Sequence, residues 1–497
     1  MTRPFDVLVI GAGFGGLASA LTLGELGARV CLCEMLKYPG GCASTFTKAG
    51  FRFDAGATLL SGLAEPQLFG RWLSKYSPET RIEWSDRLID FRSGPLRLDV
   101  GRSRERLVDA LGSLPGAPEQ RIREFFSVQK VVADALWPLL DDATLLPPIS
   151  APMLARHARR LREYARIAPY LGRPLVNVMR AHRVDDFLPL RLYVDALCQI
   201  TVQCGAAEAE APIALSAMDY VFRGTAHVHG GVGNLAEALL AAARRVGVEV
   251  RMPNRVSALR FDPRYGYRAI TRGGEIRARA VVSNLLPSAV SRLLGDPTLP
   301  PELRDMQTAV DDGWGAAMVY GVASDPTGAP PEAHHLQLVD DERAALCEGN
   351  HVFLSISGRD ETQRAPLGKR TFTASTHVPL SAVRAIGSND EVGRYISEIQ
   401  SRMLRTVRRR APLWADAVER FWTASPRTFE RFVGRPEGAV GGARRVAGLH
   451  NYHHMGPSEL RPNLWLVGDT VFPGQSALAT AVGGVRTAHV TARRLNI

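Results

Sequence analysis

The sequence predicts an α/β protein: a parallel sheet with helices, plus an inserted α+β region with a mostly antiparallel sheet and a helical layer. Three observations predict it. An apolar run at residues 5–10 leads through a Gly-rich turn into a helical stretch and then a second apolar run that ends in an acid. Residues 463–495 repeat that order, with a buried run, Gly468-Asp469 and an Ala/Val-rich helical stretch. The segments between are too long for loops and differently patterned.

Residues 5–10, FDVLVI, read as a buried parallel strand. Gly11-Ala12-Gly13-Phe14-Gly15-Gly16 turns the chain into a helix to about Leu26, and the strand Arg29 to Cys33 ends at Glu34. This is the Rossmann-type arrangement that holds a dinucleotide. Gly11 permits the tight turn, Gly13 lets a pyrophosphate approach the backbone, and Gly16 allows helix to pack on strand. The helix N-terminus offers N–H donors and a positive dipole end. Glu34 stands where a carboxylate accepts from ribose hydroxyls. A membrane span over residues 7–28 is disfavoured by its glycines and Glu25. No signal peptide is expected, for want of a basic start and a small-residue cleavage site.

A chain of 497 residues suggests two or three domains. The cysteines Cys31, Cys33, Cys42, Cys198, Cys204 and Cys347 show no C-x-x-C spacing, so neither disulfides nor zinc are expected, and a reducing cytoplasmic compartment is. Cys31 and Cys33 read as small apolar side chains. The net charge of +11 is concentrated. Between Met153 and Arg183 stand eight arginines (Arg156, Arg159, Arg160, Arg162, Arg166, Arg173, Arg180 and Arg183) against one acid, Glu163. Leu154, Leu161, Tyr164, Ile167 and Leu171 interleave with them. Such a basic amphipathic helix can lie on an anionic lipid surface, and equally can be a solvated basic face. Nucleic acid is not expected as a partner, since no matching motif accompanies the charge.

Pro39-Gly40-Gly41 is backbone that can hug a ligand, Phe51 to Asp54 alternates like a short strand, and Gly56-Ala57-Thr58 makes another close approach. Residues 68–213 read as mainly helical, broken by prolines. The nucleotide domain resumes near Ala226, where His229-Gly230-Gly231 leads into a helix at 236–245. The strands Val248–Arg251 and Arg255–Phe261 follow, and then a hairpin of 267–272 and 275–282 turning at Gly273-Gly274 and ending at Ser283-Asn284. Residues 316–323, 352–357 and 370–377 read as three strands of the antiparallel sheet. Ser388 with Glu391 is a capping box for a helix at 389–410, whose stripe Val392, Ile396, Ile399, Met403 and Val407 reads as core. Residues 463–467 form a buried strand. Asp469, beyond that strand and before a helix N-terminus, is placed to bond a polyol chain, with the helix dipole behind a reduced anionic ring.

These motifs together resemble the phytoene desaturase and carotene isomerase flavoproteins of the wider FAD amine-oxidase superfamily. The resemblance rests on the G-x-G-x-x-G turn, Glu34, Gly40-Gly41…Phe53-Asp54-x-Gly56-x-Thr58, His229-Gly230-Gly231 and Gly468-Asp469…Pro473-Gly474, spread over nearly the whole chain. It implies FAD, held non-covalently. The pyrophosphate would lie at Gly11, Gly13 and Gly16, the adenosine ribose at Glu34 and the adenine beside Val256. The isoalloxazine would lie near Gly41, Gly56 and Thr58, with the ribityl chain or pyrophosphate at Gly468-Asp469. On this reading 1–67, 214–290 and 446–497 form the FAD-binding domain. Residues 68–213 form a helical substrate and membrane-contact region, and 291–445 a substrate domain with the antiparallel sheet.

The implied function is oxidoreduction in carotenoid biosynthesis: desaturation of a long apolar polyene by hydride transfer to flavin, by an enzyme peripheral on the inner face of a membrane. Phe472-Pro473-Gly474-Gln475 looks closer to the carotene isomerases, so cis–trans isomerisation or saturation is the alternative reading. A non-enzymatic prenyl-binding protein on the same scaffold is a third, against which intact Glu34 and Asp469 argue. Superfamily members that oxidise amines often place an arginine after Gly-Gly, where this chain has Cys42. No general base is evident: His334-His335 and His453-His454 read as structural or exposed, and no metal site is expected.

Overall fold

The strand Phe5–Ile10 lies in the middle of an eight-stranded sheet in the computed structural model, which describes residues 3–295, 301–326 and 334–497. Residues 296–300 and 327–333 of the expected 291–445 segment lie outside the described residues. Two parallel neighbours flank it, Val30–Cys33 and Gly274–Ser283. Glu249–Arg251 adds a further parallel strand beyond Val30–Cys33. The long strand Gly274–Ser283 changes partners along its length. Residues 274–278 pair antiparallel with Gly266–Thr271, whereas 281–283 pair parallel with Leu464–Leu466. One strand therefore joins the start, middle and end of the chain in a single sheet. All three pieces are apolar runs, and Val7, Leu8, Val9, Val281, Val282 and Leu464 are fully buried.

The helices Phe14–Glu25 and Ala477–Leu495 pack closely on this sheet. A Cβ at Gly484 would stand 2.3 Å from Gly15 O, and Ser19 Oγ donates to Gly484 O at 3.1 Å. Glycine at the contact lets the two backbones approach. The first turn of each helix lines one space, so both positive ends face it.

The second sheet has seven strands, in the order Val418–Ala424, Trp314–Ser324, Lys369–Pro379, His351–Ile356, His335–Val339, Ile89–Ser93 and Leu96–Val100. Every pairing is antiparallel except that of His335–Val339 with Ile89–Ser93. The three expected strands lie side by side within it. The helix Asn389–Arg410 covers one face with its buried stripe, capped by Ser388 Oγ accepting from Glu391 N at 3.3 Å.

Three expectations are corrected here. Residues 68–213, expected to be mainly helical, also hold strands: Ile89–Ser93 and Leu96–Val100 form a hairpin that extends the second sheet. Its cue is the alternating burial of Leu96, Leu98 and Val100 against exposed Arg97 and Asp99. The basic stretch is not one helix either. It forms three short helices, Ala151–Ala158, Leu161–Ile167 and Leu175–Ala181, with a 3-10 turn at Ala168–Tyr170. Pro169 and Pro174 withhold backbone donors, and Gly172 (φ +74°) reverses the chain. The helix expected at 236–245 begins earlier, at Val232.

Candidate functional site

The Gly-rich turn opens onto one cavity of about 860 Å³. Gly11 takes φ +95° and donates to Cys33 O at 2.8 Å, which locks the turn against the neighbouring strand. Glu34 closes the other side. Its Oε2 accepts from Ala12 N and its Oε1 from Leu36 N, each at 2.8 Å. The carboxyl is buried, and that burial raises its pKa against the opposing backbone hydrogen bonds of Ala12, Leu36 and Met35. Gly40 (φ +107°) donates to Ala12 O at 2.8 Å, laying Gly41 over Gly13. Gly56 lies against Cys42 O, and Thr58 Oγ1 meets Ser355 Oγ at 2.6 Å.

The C-terminal segment completes the wall. Val467 N donates to Ser283 O at 2.9 Å, Gly468 takes φ +119° and Asp469 follows. Asp469 is paired with Arg435, whose Nη2 lies 2.9 Å from Oδ2 and 3.2 Å from Oδ1. Burial pushes the Cys42 thiol up despite the nearby Arg435, so Cys42 stays a neutral thiol. From here the cavity continues along an apolar gallery that includes Trp137, Leu140, Leu197, Ile213, Met318 and Phe353. His377 also lines the cavity, and burial lowers it to about 4, which keeps it neutral.

Gly11, Gly13, Glu34, Gly41, Gly56, Thr58, Val256, Gly468 and Asp469 all line this one cavity. Gly16 does not. Its place is structural, since a Cβ there would stand 1.9 Å from Gly11 O. Three wall residues escaped the sequence reading. Asn284 follows a parallel strand as Asp469 does, and its side chain threads the glycine turn: Cβ atoms at Gly13 and Gly15 would lie 2.4 Å from its Nδ2 and 2.7 Å from its Oδ1. Arg435 and Arg445 belong to no motif singled out in the sequence, and both line the cavity. The histidine pairs do not. His453 and His454 are exposed, whereas His334 and His335 sit in a buried cluster. There His227 stacks on His334 at 4.1 Å and lies 3.1 Å from Glu361 Oε1.

The cradle fits a dinucleotide: glycines where the backbone must come close, two helix N-termini at the wall, an acid at a strand end, and an elongated space beyond. A family profile described as an NAD(P)-binding Rossmann-like domain matches residues 9–76. The chain is 24% identical over 507 residues to a chloroplastic prolycopene isomerase of Daucus carota, covering 100% of this chain and 81% of that protein. It is 25% identical to a 4,4'-diapolycopene oxygenase of a Methylomonas species, covering 94% of each. Its fold matches a putrescine oxidase structure with TM-score 0.65 at 17% identity, over 99% of this chain and 100% of that one. The resemblance to the carotene isomerase flavoproteins therefore extends along the whole chain.

Proposed function

We propose that this chain is an FAD-dependent oxidoreductase that desaturates a long polyene of the carotenoid type. One observation carries the reading: a single cavity runs from the glycine turn, Glu34 and Asp469 into an apolar gallery lined by the helices Glu119–Asp141, Leu188–Thr201 and Ala211–Ala217 and by the second sheet. In this division of labour residues 1–67, 214–290 and 446–497 serve the cofactor, and 68–213 and 291–445 the substrate.

Gly11 and Gly13 would admit the pyrophosphate, Glu34 the adenosine ribose and Asp469 the ribityl chain, with no covalent link. Bound FAD supplies a hydride acceptor when oxidised and a donor when reduced. The chain's own residues do the rest. Leu140, Leu197, Ile213 and Phe353 align the polyene and keep out water, so that orientation supplies much of the rate. His377 is the one histidine among the described residues that line the cavity, and burial, which lowers it to about 4, keeps it neutral there.

Isomerisation of the same kind of polyene is the second reading. It is favoured by the cavity-lining Phe472-Pro473 and Gln475 and by the prolycopene isomerase relative. Expression in cells that accumulate phytoene, neurosporene or poly-cis lycopene separates the two. A gain of conjugated double bonds supports desaturation, whereas an unchanged count with altered geometry supports isomerisation. A purified protein that takes up no flavin on refolding would favour a non-enzymatic lipid carrier instead.

The same reading puts the protein on the inner face of a membrane, as a peripheral one. No helix among the described residues is long and apolar enough to cross a membrane. Leu154, Leu161 and Leu449 are about 60% exposed (62%, 63% and 59%), the first two among the exposed Arg156, Arg159, Arg162 and Arg166. Leu449 packs against Gly172, and nearby Leu146, Tyr452 and Met455 line the cavity.

A further inference from the structure

Two arginines stand in the cavity wall, and their surroundings differ. Arg435 is paired with Asp469 at 2.9 Å. Arg445 is not paired: its Nη2 is shielded from solvent and has no hydrogen-bond partner among the described residues. Gln203 Oε1 and Gln475 Oε1 are buried without partners in the same way. All three residues line the cavity.

Glycines bring these polar heads to the wall. A Cβ at Gly474 (φ +114°) would stand 2.3 Å from Arg445 Nη2, and one at Gly441 (φ +75°) 2.1 Å from Gln203 Nε2. Gln475 is held by its Nε2, which donates to Ile200 O at 3.0 Å and leaves the amide oxygen free. A buried guanidinium N–H without an acceptor is costly, and so is an amide oxygen without a donor. No hydrocarbon relieves either cost.

The backbone of Arg445 belongs to the wall on the helical side. Its N–H donates to Val202 O at 3.0 Å and its carbonyl accepts from Glu210 N at 2.9 Å. Asp469 is hydrogen-bonded to Arg435 and reaches Arg445 only through its charge, so the Nη2 of Arg445 is left to face a guest.

Resting on the function proposed above, we infer that Arg445, Gln203 and Gln475 form a polar subsite for a carboxylate on the polyene. The substrate is then a polyene acid rather than a pure hydrocarbon. Arg445 donates to the carboxylate, Gln203 can turn its N–H groups to it, and Gln475 accepts from a hydroxyl or a bridging water.

The test uses the flavin-loaded protein, with parinarate and the octadecatetraene hydrocarbon of the same chain as probes, followed by fluorescence. Parinarate should bind at least about tenfold tighter. Arg445→Met should abolish that preference, and Arg445→Lys should retain part of it. Flavin content and reduction potential should not change in either variant. Equal affinities, or hydrocarbon binding alone, would overturn the subsite and leave the proposed function standing. Failure to bind either probe would overturn both. A loss of flavin or a shifted potential in Arg445→Met would assign the guanidinium to the cofactor and overturn the subsite.

Discussion

Ala12 donates its backbone N–H to Oε2 of Glu34 at 2.8 Å, so the acid that ends the second strand also fastens the turn that ends the first. The same carboxylate takes Leu36 N on its other oxygen. Glu34→Ala leaves the buried Ala12 N–H without an acceptor, at a cost of about 1–3 kcal/mol, and the half-buried Leu36 N–H at less. The variant should melt earlier and lose most of its flavin on gel filtration, read as the ratio of flavin to protein absorbance. Glu34→Gln keeps one acceptor and should lie between it and the parent. Equal flavin content in all three would show that the acid has no part in holding the cofactor.

Gly484→Ala probes the helix contact behind the site. The added methyl would meet Gly15 O at 2.3 Å, backbone against backbone, so the helices must part. Overpacking of this kind costs about 1–3 kcal/mol. The melting temperature should fall, and flavin should dissociate faster because both helix N-termini shift together. Gly393→Ala is the control: it lies on an open helix surface with nothing within 4 Å and should be neutral or stabilising.

Much of this architecture is legible in the sequence because it is written in short-range chemistry. Buried parallel strands read as apolar runs, and tight turns require glycine at Gly11 and Gly468. What escaped is set by long-range pairing. The Ile89–Val100 hairpin carries Asp90, Arg92, Arg97 and Asp99 between its apolar positions, and it is a short interruption in a segment, 68–213, whose pattern is otherwise mainly helical. Arg435 and Arg445 look like surface charges until Asp469 and Gly474 are folded beside them. Asn284 had a local cue, its place just past a parallel strand, but lacks the charge that made Asp469 conspicuous.

Arg435 and Asp469 should behave as a coupled pair. Their side chains are 17% and 19% exposed, so removing one partner leaves a largely buried charge uncompensated. Losing one member of a buried pair costs about 3–5 kcal/mol, whereas replacing both is milder. Arg435→Met should therefore destabilise more than Arg435→Met combined with Asp469→Asn. Denaturant unfolding of the four proteins gives the coupling energy, and additive effects would mean the pair is already solvated.

Acid should unfold this protein through its buried histidines. Burial lowers His351 to about 3 and His377 to about 4, and holds His335 well below the ordinary value, where protonation would also be opposed by the Arg364 charge. Unfolded histidines titrate near about 6.5, so below that pH the unfolded chain binds more protons. Stability is full above about 6.5 and erodes as pH falls toward the folded values. Thermal melts from pH 8 to pH 5 should show the decline, and His351→Gln should flatten part of it. A melting temperature independent of pH over that range would show the three imidazoles to be solvated.

Membrane attachment can be tested more sharply than the arginine count alone allows. Arg156 is committed to Asp142 at 2.6 Å, and Arg160 to Glu163 at 2.8 Å. Replacing those two would disturb the fold as well as the surface. Arg159, Arg162 and Arg166 are exposed on the same short helices, beside exposed Leu154 and Leu161. Each basic residue near an anionic surface contributes about 1 kcal/mol, so changing three to Gln should weaken sedimentation with anionic liposomes by about a hundredfold. Binding should also fall with added salt, since the charges act through solvent. Leu154→Ser with Leu161→Ser removes the apolar contribution and should lower binding at high salt, where the charge effect is screened. If the arginine variant still sediments like the parent at low salt, the basic face is solvated and substrate must reach the cavity by another route.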